Sequence, residues 1–160
     1  MNDQTSKSEA QIFKIFPIGY VGRDNGRTFL NIHKPFVPAL KELEHFSHVQ
    51  VFWWFSEFQD DEYRQVMQNE PPYDAPVTGV FASRSPVRPN PIGLTTAKIL
   101  NVDHVTGRVE IANIDAFDDT PIIDLKAYIP VCDRVQEVSI PEWFADWPEW
   151  MPPEGLGLEE

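Results

Sequence analysis

The chain has 160 residues, enough for one domain with a core of its own. Its formal net charge of −12 at pH 7 argues against gathering nucleic acid by long-range attraction, but it does not exclude a local basic pocket. The single cysteine, Cys132, excludes an intramolecular disulfide and a cysteine metal cluster. The richest apolar run, residues 49–55, has the length of a strand and is too short to cross a membrane.

The N-terminal half shows short elements separated by turn signals. Residues 1–10 are polar and lack the apolar region of a signal peptide, which predicts a disordered tail on a cytoplasmic protein. Residues 12–21 alternate at first and then carry a proline and a glycine, as in an edge strand with a bulge or a bend. A turn at residues 24–26 predicts a second strand over 27–32. A proline at its first position favours a short helix over residues 38–44.

Further strands dominate the rest of the chain. Residues 49–55 carry apolar and aromatic residues at both odd and even positions, which predicts a central strand buried on both faces. Acidic residues in the first turn favour a short helix over 60–67. The remaining strands are expected at residues 78–83, 95–102, 108–114 and 121–126, with a hairpin turn at 102–107. Many short strands and few helices predict a mainly β fold, a small β-barrel with short helices.

Residues 79–94 read Gly-Val-Phe-Ala-Ser-Arg-Ser-Pro-Val-Arg-Pro-Asn-Pro-Ile-Gly-Leu and contain a proline-rich loop. Each proline fixes its own φ and keeps the preceding residue out of helical geometry, so the loop loses little entropy on binding. Arg84, Arg88 and Asn90 lie at near-alternate positions in it. The pattern indicates a rigid loop for an anionic or polar ligand, with Arg88 and Asn90 as candidate substrate-binding residues. The alternative is a stiff connection that carries charge.

A second polar pattern occurs within residues 111–130. Asp124, Lys126 and Tyr128 alternate along an extended segment and therefore share one face. One interpretation is a solvent-exposed edge with a salt bridge. The other is a face of a functional site, where Asp124 orients Lys126 or Tyr128 and the ammonium meets an anionic ligand group.

Three segments carry a resemblance to a known family. Phe46-Ser-His48 precedes an apolar strand, the proline-rich motif follows at 79–93, and Asp-Asp-Thr-Pro-Ile-Ile-Asp-Leu-Lys-Ala-Tyr-Ile-Pro occupies 118–130. In this order they resemble the TsaA-like family, also described as tRNA methyltransferase O. The resemblance implies a small β-barrel that binds S-adenosylmethionine, usually as a homodimer. The best-described members methylate N6 of threonylcarbamoyladenosine next to the tRNA anticodon. The sequence has no Gly-x-Gly-x-x-Gly at a strand-to-helix turn, which disfavours a Rossmann methyltransferase.

The resemblance also assigns residues. By motif position the family's cofactor contacts fall on Arg84 and Leu94, and on Ala112, Asn113, Ile114 and Asp115. Two departures concern the substrate and the turn geometry. Ser56 and Glu57 stand where the tRNA-modifying members carry His-Gln, and Asp119 replaces the glycine of the usual Asp-Gly-Thr-Pro turn.

The functional hypothesis is methyl transfer from S-adenosylmethionine to tRNA or to a related small acceptor. Asp124, Lys126 and Tyr128 are the catalytic candidates, for removing a proton from an acceptor nitrogen. The alternative is a non-catalytic sensor that binds the cofactor or a nucleotide. A metal-dependent hydrolase is disfavoured because no metal-ligand cluster is seen in the sequence, so no metal partner is expected.

The predicted organisation is a disordered tail at 1–10, a barrel domain at 11–140 and an acidic C-terminal tail rich in tryptophan and proline at 141–160. Trp143, Trp147 and Trp150 are interpreted as packing against the barrel or a dimer partner, because acids and no bases lie between them. The aromatic content of these residues and of the central strand favours a homodimer.

Overall fold

Six antiparallel strands close into a barrel in the computed structural model, which describes residues 11–153. The strands of the chain are β1 Gly19–Asp24, β2 Arg27–Ile32, β3 His48–Trp54, β4 Gln68–Asn69, β5 Thr78–Gly79, β6 Ile92–Asp103, β7 Arg108–Ile111 and β8 Pro121–Ala127. The barrel order is β1-β2-β7-β6-β3-β8, while β4 and β5 form a separate two-stranded sheet. The prediction of a small, mainly β-barrel is confirmed.

The helices are short. The α-helices are α1 Asp61–Arg64 and α2 Pro130–Asp133. A 3₁₀ helix of seven residues spans Lys34–Leu40, and single 3₁₀ turns lie at Leu43–His45, Ser56–Phe58, Val80–Ala82 and Glu142–Phe144. None of the helices among residues 11–153 has the length and apolar content needed to cross a bilayer.

Side chains fill the inside of the barrel. In β3 the side chains of Val49, Val51 and Trp53 are buried, while the alternate side chains point outward and are half-buried. The expectation of burial on both faces of this strand is therefore wrong for its outer face. The interior is completed by apolar residues of the other strands and their connections: Val21, Leu30, Ile32, Leu40, Ala97, Val109, Ile111, Ile114 and Ile122. Because this core occupies the interior, a ligand site has to use the outer surface or the loops.

The first strand begins later than expected. Residues 12–17 are outside any strand, and the barrel ladder starts with the Ile18 N–H donating to the Ile122 carbonyl at 2.7 Å. Pro17 has no N–H to contribute to a ladder. From Gly19 the strand pairs with both β2 and β8, so β1 closes the barrel and is not an edge strand.

Two predicted helices are also corrected. Residues 38–44 do not form one α-helix, because Pro38 lies within a 3₁₀ turn and Glu42 has a left-handed φ of 70° that ends helical geometry before Leu43. The helix expected over 60–67 is reduced to Asp61–Arg64. Likewise, the strand expected over 78–83 stops at Gly79, since a 3₁₀ turn begins at Val80.

Other elements agree with the sequence. Strand β2 has the predicted bounds, and the preceding turn places Asn25 and Gly26 at φ of 50° and 74°, the left-handed pair of a tight hairpin. Strand β6 begins at Ile92, earlier than expected, and runs into the predicted hairpin before β7. The expected strand over 108–114 ends at Ile111.

The C-terminal segment packs on the connection between β4 and β5. Phe144 and Trp147 lie with ring centroids 5.7 and 5.1 Å from that of Tyr73 and 5.0 Å from each other. Trp150 is 77% exposed. The disordered tail expected at 1–10 and the last part of the expected acidic tail, 154–160, lie outside the described residues.

Gly93 provides a test of the packing inside the barrel. It pairs with Trp53 across β6 and β3, and a Cβ atom at position 93 would overlap the Trp53 indole ring. We expect Gly93→Ala to lower the free energy of unfolding by roughly 1–3 kcal/mol through overpacking. Urea denaturation measures the change. The control is Gly79→Ala, where a Cβ would meet the Met67 carbonyl oxygen at an ordinary van der Waals distance of 3.8 Å. Equal stability of the two variants would contradict the packing argument.

Candidate functional site

The proline-rich loop forms a depression on the outside of the barrel, at the start of β6. Its volume is about 440 Å³. It is lined by Phe81, Ser83, Arg84, Arg88, Pro89, Asn90 and Ile92. Three of the residues that the sequence singled out therefore share one concave surface, with Phe81 and Ile92 adding apolar area.

Arg88 fixes the shape of this loop. Its guanidinium donates to the carbonyl of Val80 and, at 3.1 Å, to that of Ser83. Burial, followed by the nearby charge of Arg84, lowers the pKa of the Arg88 guanidinium. Its Nε is buried and finds no hydrogen-bond partner among residues 11–153. Substrate binding by Arg88 stays a prediction, because what the structure shows is its role in holding the loop.

Serine side chains add to the rigidity of the loop. The Ser83 hydroxyl donates to the Val80 carbonyl at 3.2 Å and accepts the Ser85 N–H at 3.3 Å. The Ser85 hydroxyl in turn accepts the Val87 N–H at 3.3 Å. Together with the prolines, these bonds fix the backbone before any ligand arrives, so little entropy is left to lose on binding.

Arg64 is a contributor that the sequence reasoning missed. It lies at the end of α1, and its Nε donates to the Pro89 carbonyl at 2.7 Å while Nη2 donates to Asn90 Oδ1 at 3.3 Å. One signal was available: Arg64 is the sole basic residue in the acid-rich stretch 55–79. A lone cation among acids did not indicate which loop it would meet, because that contact is set by the tertiary fold.

The outer face of β6, β3 and β8 joins Leu94 to the catalytic candidates. Leu94 pairs with Phe52 in β3, and Phe52 pairs with Asp124 in β8, so the three residues form one row across the strands. Gln50 pairs with Lys126 in the next row. A register shift in the β3–β8 ladder follows Phe52, and such bulges re-aim side chains next to sites.

The ion pair considered for this face is present. Lys126 Nζ lies 2.9 Å from Asp124 Oδ2 and 5.8 Å from the centroid of the Phe52 ring. Asp124 Oδ1 accepts the N–H of the next residue, Leu125, at 2.9 Å. Asp124 therefore uses both carboxylate oxygens within the protein and holds the ammonium over β3.

Tyr128 lies further along the same face, beside His48. Its N–H donates to the His48 carbonyl at 3.0 Å, and the two rings meet edge to face with centroids 6.3 Å apart. His48 Nδ1 is 2.8 Å from Ser47 Oγ. Tyr128 thus contacts His48, whereas Asp124 pairs with Lys126.

Ala112 to Asp115 follow β7 on the opposite side of β6 from β3. The Ala112 N–H donates to the Lys98 carbonyl at 2.9 Å, and Lys98 is about 13 Å along the strand from Leu94. The Ile114 side chain is buried in the core, its N–H is bonded to Asn113 Oδ1, and its carbonyl accepts from Arg23 at 3.2 Å. These bonds leave the Asn113 amide N–H and the exposed Asp115 carboxylate as the polar side-chain groups that can meet a ligand.

Comparison with known proteins identifies the family. Residues 8–134 match the model of the tRNA-methyltransferase O N-terminal domain. The chain belongs to this family. The match includes the depression around Arg84 and Arg88, called the arginine depression below, together with the outer face of β6, β3 and β8 and the segment after β7.

Relatives of this chain are named either for binding S-adenosyl-L-methionine or for methylating tRNA. A probable S-adenosyl-L-methionine-binding protein of Methanocaldococcus jannaschii is 39% identical over 119 residues, which cover 73% of this chain and 93% of that protein. A tRNA (adenine(37)-N6)-methyltransferase of Mus musculus is 40% identical over 102 residues, 64% of this chain and 23% of the mouse protein. The crystal structure of TrmO from Pseudomonas aeruginosa superposes with a TM-score of 0.65 at 27% identity, over 85% of this chain and 63% of that one. The chain thus spans less than two thirds of the crystallised protein.

The structure explains one departure from the family motif. Asp119, at the position of the motif glycine, has a φ of 62°, in the left-handed region where glycine is favoured and aspartate is tolerated. Its N–H donates to the Val21 carbonyl at 2.8 Å, so the turn remains attached to β1. Position 119 thus has the left-handed backbone that a glycine adopts readily, although its residue is aspartate.

Proposed function

We propose that this protein is an S-adenosylmethionine-dependent methyltransferase whose site lies on the outside of the barrel, between the arginine depression and the segment after β7. The observation that carries the proposal is the fixed loop of the family motif, which presents Arg84 beside the start of β6. The names of the relatives from M. jannaschii and the mouse support the cofactor and the reaction class.

The residues present fit this cofactor. Arg84 is exposed and has no ion-pair partner among residues 11–153, so its guanidinium is free to bind the methionyl carboxylate. The exposed Asp115 carboxylate can accept hydrogen bonds from ribose hydroxyls, and the Asn113 N–H can donate to an adenine nitrogen. Leu94 is 36% exposed and offers apolar contact between these groups. When bound, the cofactor supplies the electrophilic methyl group.

The chain itself would align the acceptor and remove water. In-line methyl transfer depends on orientation, which a loop already fixed by Arg88 and proline provides at low entropic cost. If the acceptor is an N–H group, its proton has to leave as the methyl group arrives. Asp124 lies in the Leu94 row and pairs with Lys126 of the next row, so this charged pair is the candidate for that proton transfer.

For the acceptor we propose N6 of threonylcarbamoyladenosine in tRNA or a related small molecule. The mouse relative's name supports the first. The net charge of −12, and Ser56 with Glu57 in place of the family's His-Gln, favour the second. A second candidate function is a non-catalytic sensor of S-adenosylmethionine, which the name of the M. jannaschii relative supports.

We also propose that the protein is a homodimer, because the site carries apolar side chains that the described chain leaves exposed. Phe81 is 82% exposed, and Ile92 and Leu94 are each 36% exposed. Light scattering at micromolar concentration should give twice the 18.4 kDa chain mass. A monomer mass at that concentration would count against the dimer.

Arg84→Ala tests the cofactor site. Loss of one charge-assisted partner should weaken S-adenosylmethionine binding about ten- to a hundredfold, measured by isothermal titration. Arg134→Ala, which removes an exposed arginine after α2, is the matched control and should bind like the native protein. Unchanged affinity in a folded Arg84→Ala protein would remove Arg84 from the site.

Salt dependence separates the two acceptors. If tRNA is the acceptor, two or three phosphate contacts should reduce kcat/KM about tenfold between 50 and 200 mM salt. A small acceptor depends on short-range contacts, so its turnover should change little over that range. Methyl transfer is measured with bulk tRNA and with a small-metabolite extract at both salt concentrations. Tight cofactor binding without transfer to either pool would favour the sensor over the enzyme.

A further inference from the structure

One contact at the rim of the depression determines which atoms the protein can offer to a ligand. The Arg64 Nη2 donates to Asn90 Oδ1 at 3.3 Å, and Arg64 is itself held by a 2.7 Å bond from Nε to the Pro89 carbonyl. Asn90 is exposed and lines the depression, whereas Arg64 is half-buried behind the loop.

The chemistry of the two groups fixes the orientation of the amide. A guanidinium has donors and no acceptor, so the atom of Asn90 that faces Arg64 has to be the oxygen. The amide nitrogen then points away from Arg64. We propose that Arg64 is a positioning residue that turns the Asn90 amide so that its N–H group serves the depression, which makes the depression specific for ligand groups that accept hydrogen bonds.

The remaining polar groups of the depression agree with this specificity. Arg84, proposed above to hold the methionyl carboxylate, is an exposed donor, and the half-buried Arg88 guanidinium adds positive charge behind it. The carbonyls of Val80, Ser83 and Pro89 already accept guanidinium N–H groups. A ligand group that enters therefore meets positive charge and the N–H groups of Arg84 and Asn90, which suits the oxygens of a carboxylate or a phosphate.

The role of the anion in catalysis rests on the proposed function, and it narrows the class of substrate that this function would use. If the site is that of a methyltransferase, Arg84 holds the carboxylate of the cofactor, and the anionic oxygen group that docks against Asn90, either a carboxylate or a phosphate, belongs to the methyl acceptor. Neither the family match nor the relatives' names assign a role to Arg64, which lies in the acid-rich stretch 55–79.

The test uses inorganic phosphate and acetate as probes, so it needs neither the cofactor nor turnover. Each anion is titrated into the full chain while the Asn90 side-chain Nδ2–H resonances and the backbone amides of the loop are followed by ¹⁵N NMR. We expect at least one anion to shift the Asn90 Nδ2–H resonances in a saturable way. Tighter binding of phosphate assigns the docked group to a nucleotide phosphate, and tighter binding of acetate assigns it to a carboxylate.

A double-mutant cycle separates positioning from simple charge loss. Arg64→Met and Asn90→Leu should each lower the affinity for the anion about tenfold. The affinity of the double variant should be little lower than that of either single variant, because Arg64 acts through Asn90. Arg134→Met removes the same charge away from the loop and should change the affinity less than twofold. Thermal unfolding of each variant confirms that it is folded.

Two results would overturn the inference. Additive losses in the double variant would show that Arg64 contributes only its charge or a general anchor to the loop. Asn90 side-chain resonances that stay unmoved by either anion in the native chain would show that the amide does not face a ligand, and this measurement needs no variant. If methyl transfer is absent while the coupled losses are present, the proposed reaction fails and the role of Arg64 stands.

Discussion

The closure of the barrel by β1 and β8 is the constraint on which the site depends. The seam is short: Gly19 pairs with Ile122 and Tyr20 with Pro121, extended by the bond from the Ile18 N–H to the Ile122 carbonyl. Closure leaves no free edge in the six-stranded ring and lets apolar side chains fill its interior. The candidate ligand-binding groups are consequently carried by outward-facing positions and by the loop before β6, where their geometry depends on hydrogen bonds rather than on the core.

The charge distribution explains how a strongly acidic protein can present a cationic depression. Residues 80–98 contain Arg84, Arg88 and Lys98 and no acid, whereas residues 55–79 contain six acids and Arg64 alone. Opposite charges are therefore separated along the chain, and the fold brings Arg64 of the acidic stretch to the loop. Not every basic residue joins this region, since Arg108 lies over the Phe29 ring at 3.7 Å, on the β2–β7 side of the barrel. The attraction for an anion is thus short in range, because the net charge of the chain is −12 and salt screens the field further.

The fold was predictable where local chemistry decides the structure. The turn before β2 needs left-handed residues and has Asn25 and Gly26, and the barrel class followed from the number and spacing of strands. Predictions failed where one residue interrupts a favourable pattern. Glu42 has a left-handed φ that ends the helix suggested by the leucines around it, and nothing in its side chain signals this conformation. The start of β1 depended on its pairing with β8, a contact between residues about a hundred positions apart.

The candidate site was predictable only in part for the same reason. The loop motif and the alternation of residues 124–128 can be read from the chain, and the structure shows the Asp124–Lys126 pair that the alternation suggested. The partners of the loop cannot be read in this way. Arg64 reaches Pro89 from another element, and the C-terminal Phe144 packs on Tyr73 beyond the end of the family match.

These last contacts show how the family site is supported in this chain. The connection that carries Tyr73 joins β4 to β5, β5 leads directly into Val80, and the Val80 carbonyl receives the Arg88 guanidinium. Aromatic packing at Tyr73 and the hydrogen bonds of the loop are therefore parts of one continuous support. Since the motif loop is stabilised from both sides by segments with their own composition, those segments can alter its shape while the motif residues stay the same. Differences in substrate between members are for this reason expected in the supporting segments as much as in the motif itself.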